Sequence, residues 1–438
     1  MPLGALKALS RWTATRPYPT IEAGGQSLQA LRDYQRTAVS TVKRLWSQGK
    51  RSVLLVLPTG SGKTTVAAHI VMQTPGRVLF LCPWRELVRQ AVERLEEHNV
   101  TAVSLLDGRK DTRNTDAVVS TTATAARRDL GEFRLIIVDE AHRAAAAQCR
   151  AILKKYPRAR ILGLTATPVR QDGKRLGSIF DELVEPITAG DLIARKTLAQ
   201  PVLYAPQTPL NLDSIRIDPR SKDYAPRALG NRMMKPKIMG DAVKHWEKHA
   251  RNLRTVAYCT TLQHADAYAE ALRKRGANVE VIKGSTCNTK RKELFEALVS
   301  RDLNVLVNVG VLTEGIDIPE IECQQLLRPT KSLGLHIQIC GRGLRVAPGK
   351  TSCLYLDHAD NFRNHGWPQD KRKWSLTKKE RADPKIGKKP PLIQVQCPRC
   401  KSLVPAGSAE CPKCQHPFLP VAALGDLVPV RWSPANLR

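Results

Sequence analysis

The stretch SVLLVLPTGSGKTTVAAHIVM, residues 52–72, passes from a short apolar run through a glycine-rich turn into a helical pattern. An apolar run without polar alternation is the mark of a strand covered on both faces, which is the situation of strands in a parallel sheet. A loop between such a strand and a helix turns consecutive backbone N–H groups toward one point, and the helix dipole adds to them, so the turn suits phosphate. Gly60 and Gly62 allow close approach of the backbone, Lys63 is placed for the β- and γ-phosphates, and Thr64 for Mg2+. Pro58, Thr59, Ser61 and Thr65 complete the expected cradle. Leu57 stands where the strict pattern has its first glycine, a departure from it.

The same kind of run recurs on either side. RVLFLCP at 77–83, RLIIVDE at 134–140 and RILGLTATP at 160–168 each lead into turn chemistry, which predicts a doubly wound α/β unit over 28–200, preceded by an N-terminal extension, 1–27. From 201 to 235 proline and charge break the rhythm, and this reads as a connecting segment. The helical pattern GDAVKHWEKHARN then opens a second series of strands: TVAYC at 255–259, VEVIK at 279–283, LNVLVNV at 303–309 and SCLYLD at 352–357. A second α/β unit is expected over 236–365. Residues 366–394 turn basic and proline-containing and read as an exposed linker or nucleic-acid arm.

Asp139 and Glu140 follow directly on an apolar strand, so they emerge at the carboxyl edge of the sheet, where open α/β folds bind ligands. Asp139 is placed to hold Mg2+ and Glu140 to orient or deprotonate an attacking water. PTGSGKT, DEAH and TAT in this order resemble motifs I, II and III of superfamily-two helicases, in the restriction-enzyme and repair branch. Further blocks fit the same family. LRDYQ at 31–35 is similar to its adenine-recognising block, CPWRELVRQ at 82–90 to motif Ia, and STTAT at 120–124 to motif Ib. VAYCTTLQHADAYAEAL resembles motif IV, VGVLTEGIDIP motif V and QICGRGLR motif VI.

That resemblance implies two tandem RecA-like parallel-sheet domains, a P-loop NTPase fold. It implies that Gln35, with Arg32 beside it, reads the adenine, and that Thr165 and Thr167 couple the nucleotide state to strand movement. Gly315 and Asp317 would touch the nucleotide from the second domain, and Gln338, Arg342 and Arg345 would complete the site, the arginines acting on the γ-phosphate. Arg85, Thr121 and Thr313 would contact the nucleic-acid backbone. Trp84 stands where the family has a small or polar residue, and either stacking on a base or packing in the core fits it.

Charge points to the same partner. Seventy Lys and Arg against 40 Asp and Glu give a formal net charge of +30, and so basic a surface expects a polyanion. No run approaches the ~20 apolar residues of a membrane span, and the first residues lack the apolar core of a signal peptide, so a cytoplasmic protein is expected. Cys397, Cys400, Cys411 and Cys414 form CPRC and CPKC knuckles, the donor set of a structural Zn2+ in a small ribbon over 395–418, followed by a tail, 419–438. The remaining seven cysteines lie in apolar or motif segments and read as reduced core residues. The function expected is ATP-dependent movement along, or unwinding of, DNA. An RNA helicase, or an ATP-switched nucleic-acid-binding subunit without strand separation, remains open beside it.

Overall fold

A computed structural model describes residues 31–106, 115–170, 176–206, 209–312 and 318–377, together with 394–396, 399, 403–405, 410, 414–416 and 428–430. Two α/β units follow one another. The first carries strands β1 (Ser52–Val56), β2 (Val78–Cys82), β3 (Ala102–Ser104), β4 (Ala117–Thr121), β5 (Leu135–Val138), β6 (Arg160–Thr165) and β7 (Glu182–Val184), in the spatial order 3-4-2-5-6-1-7, all parallel. Every residue of β1, β2, β4 and β5 is buried, as the continuous apolar runs required.

The second sheet is built from β8 (Gln200–Ala205), β9 (Thr255–Tyr258), β10 (Val279–Ile282), β11 (Val305–Asn308), β12 (Cys323–Leu326) and β13 (Ser352–Asp357), with β16 (Val428–Val430) antiparallel at its edge. Two further strands, β14 (Gln394–Gln396) and β15 (Leu403–Pro405), form a separate antiparallel pair. The order is 10-11-9-12-13-8-16. Matched strand for strand from its start at β8, this is the arrangement of the first sheet. The helices of the first unit are α1 (Asp33–Ser47), α2 (Lys63–Met72), α3 (Arg85–Glu96), α4 (Thr122–Ala125), α5 (Ala147–Lys155) and α6 (Ala189–Ala194). Those of the second are α7 (Pro226–Met233), α8 (Pro236–Ala250), α9 (Leu262–Arg273), α10 (Asn288–Ser300), α11 (Leu333–Gly343) and α12 (Asn361–His365).

Besides β3, β4 and β7, which the sequence reading did not mark as strands, three features differ from the sequence expectation. The segment from 201, read as a connector, begins as β8, which pairs in register with β13; the proline that obscured it, Pro201, sits opposite Cys353 next to the start of the strand. Strand β12 was not anticipated because its sequence, CQQL, holds two glutamines. Both are fully buried and both amide nitrogens are bonded: Gln324 Nε2 donates to Ile339 O at 2.9 Å, and Gln325 Nε2 to Ala242 O at 2.7 Å, while Gln324 Oε1 is buried without a hydrogen-bond partner.

The third difference is the start of the basic segment, 366–377, which is no exposed linker. The Gly177 N–H donates to Leu376 O at 3.1 Å, the Trp374 indole donates to Glu185 Oε1 at 3.1 Å, and Trp374 and Leu376 pack on the core of the first unit. Arg372 is half-buried and donates to the carbonyls of His365, Trp367 and Asp370. The chain leaves the second unit and straps back across the first.

One apolar cluster runs through both units, joining Val66 and Leu198 to Leu203, Ile339 and Leu344. Each fully buried aliphatic side chain of this kind contributes ~1.5–3 kcal/mol of transfer free energy. The units therefore pack on each other, with α11 of the second lying against the phosphate loop of the first. Among the described residues no helix is long and apolar enough to cross a membrane.

Candidate functional site

The glycine-rich turn closes on itself. Ser61 Oγ donates to Pro58 O at 2.7 Å, and Gly62, in the left-handed region at φ 84°, caps α2. A β-carbon at Gly62 would be strained by that φ and would also lie 2.5 Å from Gln35 Nε2, so glycine is required twice over. Leu57 extends the β1 ladder, its N–H donating to Thr165 O at 2.9 Å, and its side chain is fully buried. The loop proper therefore begins at Pro58, which explains how it forms without the pattern's first glycine. Lys63 opens α2, its Nζ 3.3 Å from Leu57 O; burial pulls its pKa down, while the charges of Glu140 and Asp139 act against that.

Behind the loop lies α1. Gln35 spans from the Arg32 N–H, which its Oε1 accepts at 2.9 Å, to Ser61 O, to which its Nε2 donates at 3.0 Å. Tyr34, which the sequence did not single out, donates to the same Ser61 O at 2.8 Å, and Arg32 donates to the Tyr34 hydroxyl. Residues expected to read a base thus also fix the shape of the phosphate loop.

Asp139 and Glu140 leave β5 at its carboxyl end. Glu140 takes a left-handed backbone at φ 46°, and its N–H donates to Asp139 Oδ1 at 2.9 Å. For a residue with a β-carbon this conformation costs of the order of 1–3 kcal/mol, and such outliers cluster at sites of chemistry. Burial first, and then the neighbouring Glu140, push the Asp139 carboxyl up. Burial acts the same way on Glu140, but the hydrogen bond and charge of His142, then Lys63 and Arg342, outweigh it and keep this carboxyl low. A half-buried carboxylate whose charge is disfavoured is a donor that a divalent cation fits, and the Thr64 hydroxyl, at the second position of α2, is the other donor expected.

His142 was absent from the expected site. Its Nδ1 lies 3.3 Å from Glu140 Oε2 and 3.4 Å from Thr165 Oγ1. Thr165 Oγ1 in turn donates to Thr167 O and accepts the Thr167 N–H. The imidazole thereby joins the carboxylate pair to the TAT turn, and the DEAH spelling was the signal that could have found it. Thr167 Oγ1 is buried without a hydrogen-bond partner, and a β-carbon at Gly334, the second residue of α11, would lie 3.6 Å from it.

The second unit reaches the site through α11. Gln338 and Arg342, four residues apart and so on one face, are both buried. The backbone of the helix is pressed to the loop: a β-carbon at Gly341 would sit 2.7 Å from Thr59 Cβ. Arg345, just past the helix, approaches Gly60, where a β-carbon would lie 3.3 Å from its Cγ. The charges of Arg345 and Arg342 are felt at Lys63, and that of Arg342 at Glu140.

Of the residues expected on nucleic acid, Arg85 is exposed at the first position of α3. Thr121 is buried, and its hydroxyl caps α4 by accepting the Thr124 N–H at 3.1 Å. Thr313, Gly315 and Asp317 lie outside the described residues, as do Cys397, Cys400 and Cys411; Cys414 is half-buried. Among the described residues no group of three or more His, Cys, Asp or Glu is placed to hold a metal ion.

Residues 28–170 match the family model of the type III restriction enzyme res subunit, and 234–347 that of the helicase conserved C-terminal domain. The "51.5 kDa protein" of Lactococcus phage (isolate 7-9) is 30% identical over 369 residues, 82% of this chain and 77% of that one. A Schizosaccharomyces pombe protein bearing the name of a mitochondrial ATP-dependent helicase, irc3, is 30% identical over 76% of this chain, which spans 58% of its length. The DNA 3'-5' translocase XPB2 of Sulfurisphaera tokodaii is 34% identical over 172 residues, 39% of this chain and 36% of its own. In fold, the chain is similar to a fragment assigned as the HsdR subunit of a type I restriction enzyme from Vibrio vulnificus YJ016. The TM-score is 0.59 at 21% identity, covering 76% of this chain and 65% of that one.

Proposed function

Because this chain belongs to the superfamily-two helicases, we propose that it hydrolyses ATP between its two α/β units and couples each cycle to movement along DNA or separation of its strands. One observation carries this reading: Arg342 of α11 is felt at Glu140 while Gly341 of the same helix touches Thr59 of the phosphate loop. Neither unit holds the whole site.

In this reading the turn Pro58–Thr65 and Lys63 hold the phosphates, with Gln35 and Arg32 at the adenine. Glu140, ionised beside His142, orients the attacking water and takes its proton. Thr64 and Asp139 would hold a bound Mg2+, which would supply charge neutralisation at the phosphate oxygens. Arg342 and Arg345, with Gln338 a turn away, stabilise charge developing on the transferred phosphoryl group, so hydrolysis requires the two units to be closed on each other. Thr165, tied to Glu140 through His142, and Thr167, which lies against Gly334 of α11, pass the nucleotide state to the second unit, with Gly315 and Asp317 as further nucleotide contacts from that side. Alternate closing and opening then advances a strand gripped by both units.

DNA is favoured over RNA by the likeness to the archaeal translocase. ATP turnover measured with single-stranded DNA and RNA of equal length, alongside displacement of a labelled strand from DNA and RNA duplexes, tests this. Stimulation and displacement with DNA are expected; turnover stimulated by RNA alone would overturn the DNA reading. The C-terminal cysteines are proposed to bind one Zn2+, since β14 and β15 flank the first knuckle as the two arms of a hairpin. Elemental analysis of the purified chain is expected to give one zinc per chain, and none would remove that proposal.

A further inference from the structure

Five large apolar side chains stand exposed among the described residues: Met72, Trp84, Val202, Leu262 and Val346. Two of them occupy matching places. Trp84, 47% exposed, caps α3 directly after β2, and Leu262, 46% exposed, is the first residue of α9 directly after β9. Strands β2 and β9 hold the same third position in the two sheets. The two side chains thus emerge from the carboxyl edge of equivalent strands, one on each unit, within the segments whose backbones a gripped strand would follow.

Trp84 is also backed from behind. The guanidinium of Arg143 lies 5.1 Å from the centre of its ring, a cation–π contact that fixes the indole plane. Arg143 closes the short turn that begins after Glu140, so the ring is tied to the loop that carries the carboxylates. Exposed Arg85 adjoins it in sequence. An exposed, braced indole beside exposed cationic charge suits the face of a nucleobase better than a phosphate, because stacking needs a flat apolar surface and the strand's charge needs cations nearby.

We propose that Trp84 and Leu262 form a matched pair of base-contacting side chains on the single-stranded DNA track, Trp84 by stacking and Leu262 by apolar contact. This rests on the reading above that the chain moves on DNA. It adds that each unit grips the bases as well as the backbone.

The test compares the full chain's binding to a labelled oligothymidine and to an abasic oligonucleotide of the same length. The wild-type chain is expected to prefer the base-bearing strand. Trp84→Ala should weaken oligothymidine binding about tenfold while abasic binding stays within about twofold, and Trp84→Phe should keep most of the preference. Leu262→Ala should show a smaller loss of the same kind. The salt dependence of binding should be unchanged in both, since no phosphate contact is removed. Equal loss on both strands in Trp84→Ala, or no loss on either, overturns the proposal while leaving the DNA reading intact. Failure of the wild-type chain to bind single-stranded DNA overturns both.

Discussion

After β5 the first unit places two carboxylates; after β12, which holds the same position in the second sheet, stands Arg328. After β1 comes the phosphate loop, and after β8, its counterpart, the proline-containing segment that leads to α7. Helix α5, between β5 and β6, serves the first unit's own core, whereas α11, between β12 and β13, lies against the neighbouring unit at Gly341 and Thr59, with the charge of Arg342 felt at Glu140. One strand order thus supports two complementary half-sites. In the proposed reading the first supplies amides, a lysine and acids for phosphate and metal, and the second supplies guanidinium groups. The scaffold sets where side chains emerge, and the residues just past each strand set what they do.

The sharpest break in that comparison is Lys63→Ala, which removes a charge of the first half-site and nothing of the second. ATP turnover should fall at least ~100-fold, the scale of losing one transition-state contact, while the fold is kept; turnover within tenfold of wild type would mean the phosphates sit elsewhere.

Acid should act on the second unit before the first. Burial pushes His264 down to about 4 and His358 to about 3, and holds His336 and His365 low as well, whereas in the first unit His98 is the histidine so shifted. A histidine with a folded pKa below its unfolded one gives stability that is present above the unfolded value, near 6.5, and is lost as pH falls toward the folded value. Asp357, raised to about 7 by burial and then by Asp360, works in the opposite direction and offsets about one histidine. Urea unfolding should show the second unit weaker by of the order of 2 kcal/mol at pH 5 than at pH 7. Earlier loss of the first unit would contradict this.

A smaller effect tests the contact between the halves. Gly341→Ala adds a methyl group that meets Thr59 Cβ at 2.7 Å, so closure should be impeded and kcat should fall about tenfold with little change in thermal stability. An unchanged kcat would mean that α11 need not approach the loop.

The sequence revealed β1, β2, β5 and β6 because they are buried on nearly every residue and therefore almost wholly apolar, but it passed over β4, whose AVVST is short and holds two hydroxyl residues although every position is buried. It concealed β12, whose buried glutamines read as surface, and β8, where proline reads as a break. The basic segment after 366 looked solvated, yet Trp374 and Arg372 anchor its first part across the first unit; net charge along a segment does not say which of its side chains face inward. At the site, the strand-to-turn reading put Lys63 at the start of a helix and Asp139 and Glu140 at the end of a strand, which is where α2 and β5 hold them. Nothing in spacing alone showed that Tyr34 and Gln35 share Ser61 O or that His142 bridges Glu140 and Thr165, because those links depend on how elements distant in sequence pack.

The central claim is that one unit binds ATP and the other completes its hydrolysis, and Arg342→Ala tests it most directly. Measured on one preparation, affinity for a fluorescent ATP analogue should stay within about threefold of wild type while DNA-stimulated hydrolysis falls ~1,000-fold, the scale of a removed arginine finger. Hydrolysis that persists, or binding that is lost in step with hydrolysis, would contradict the account.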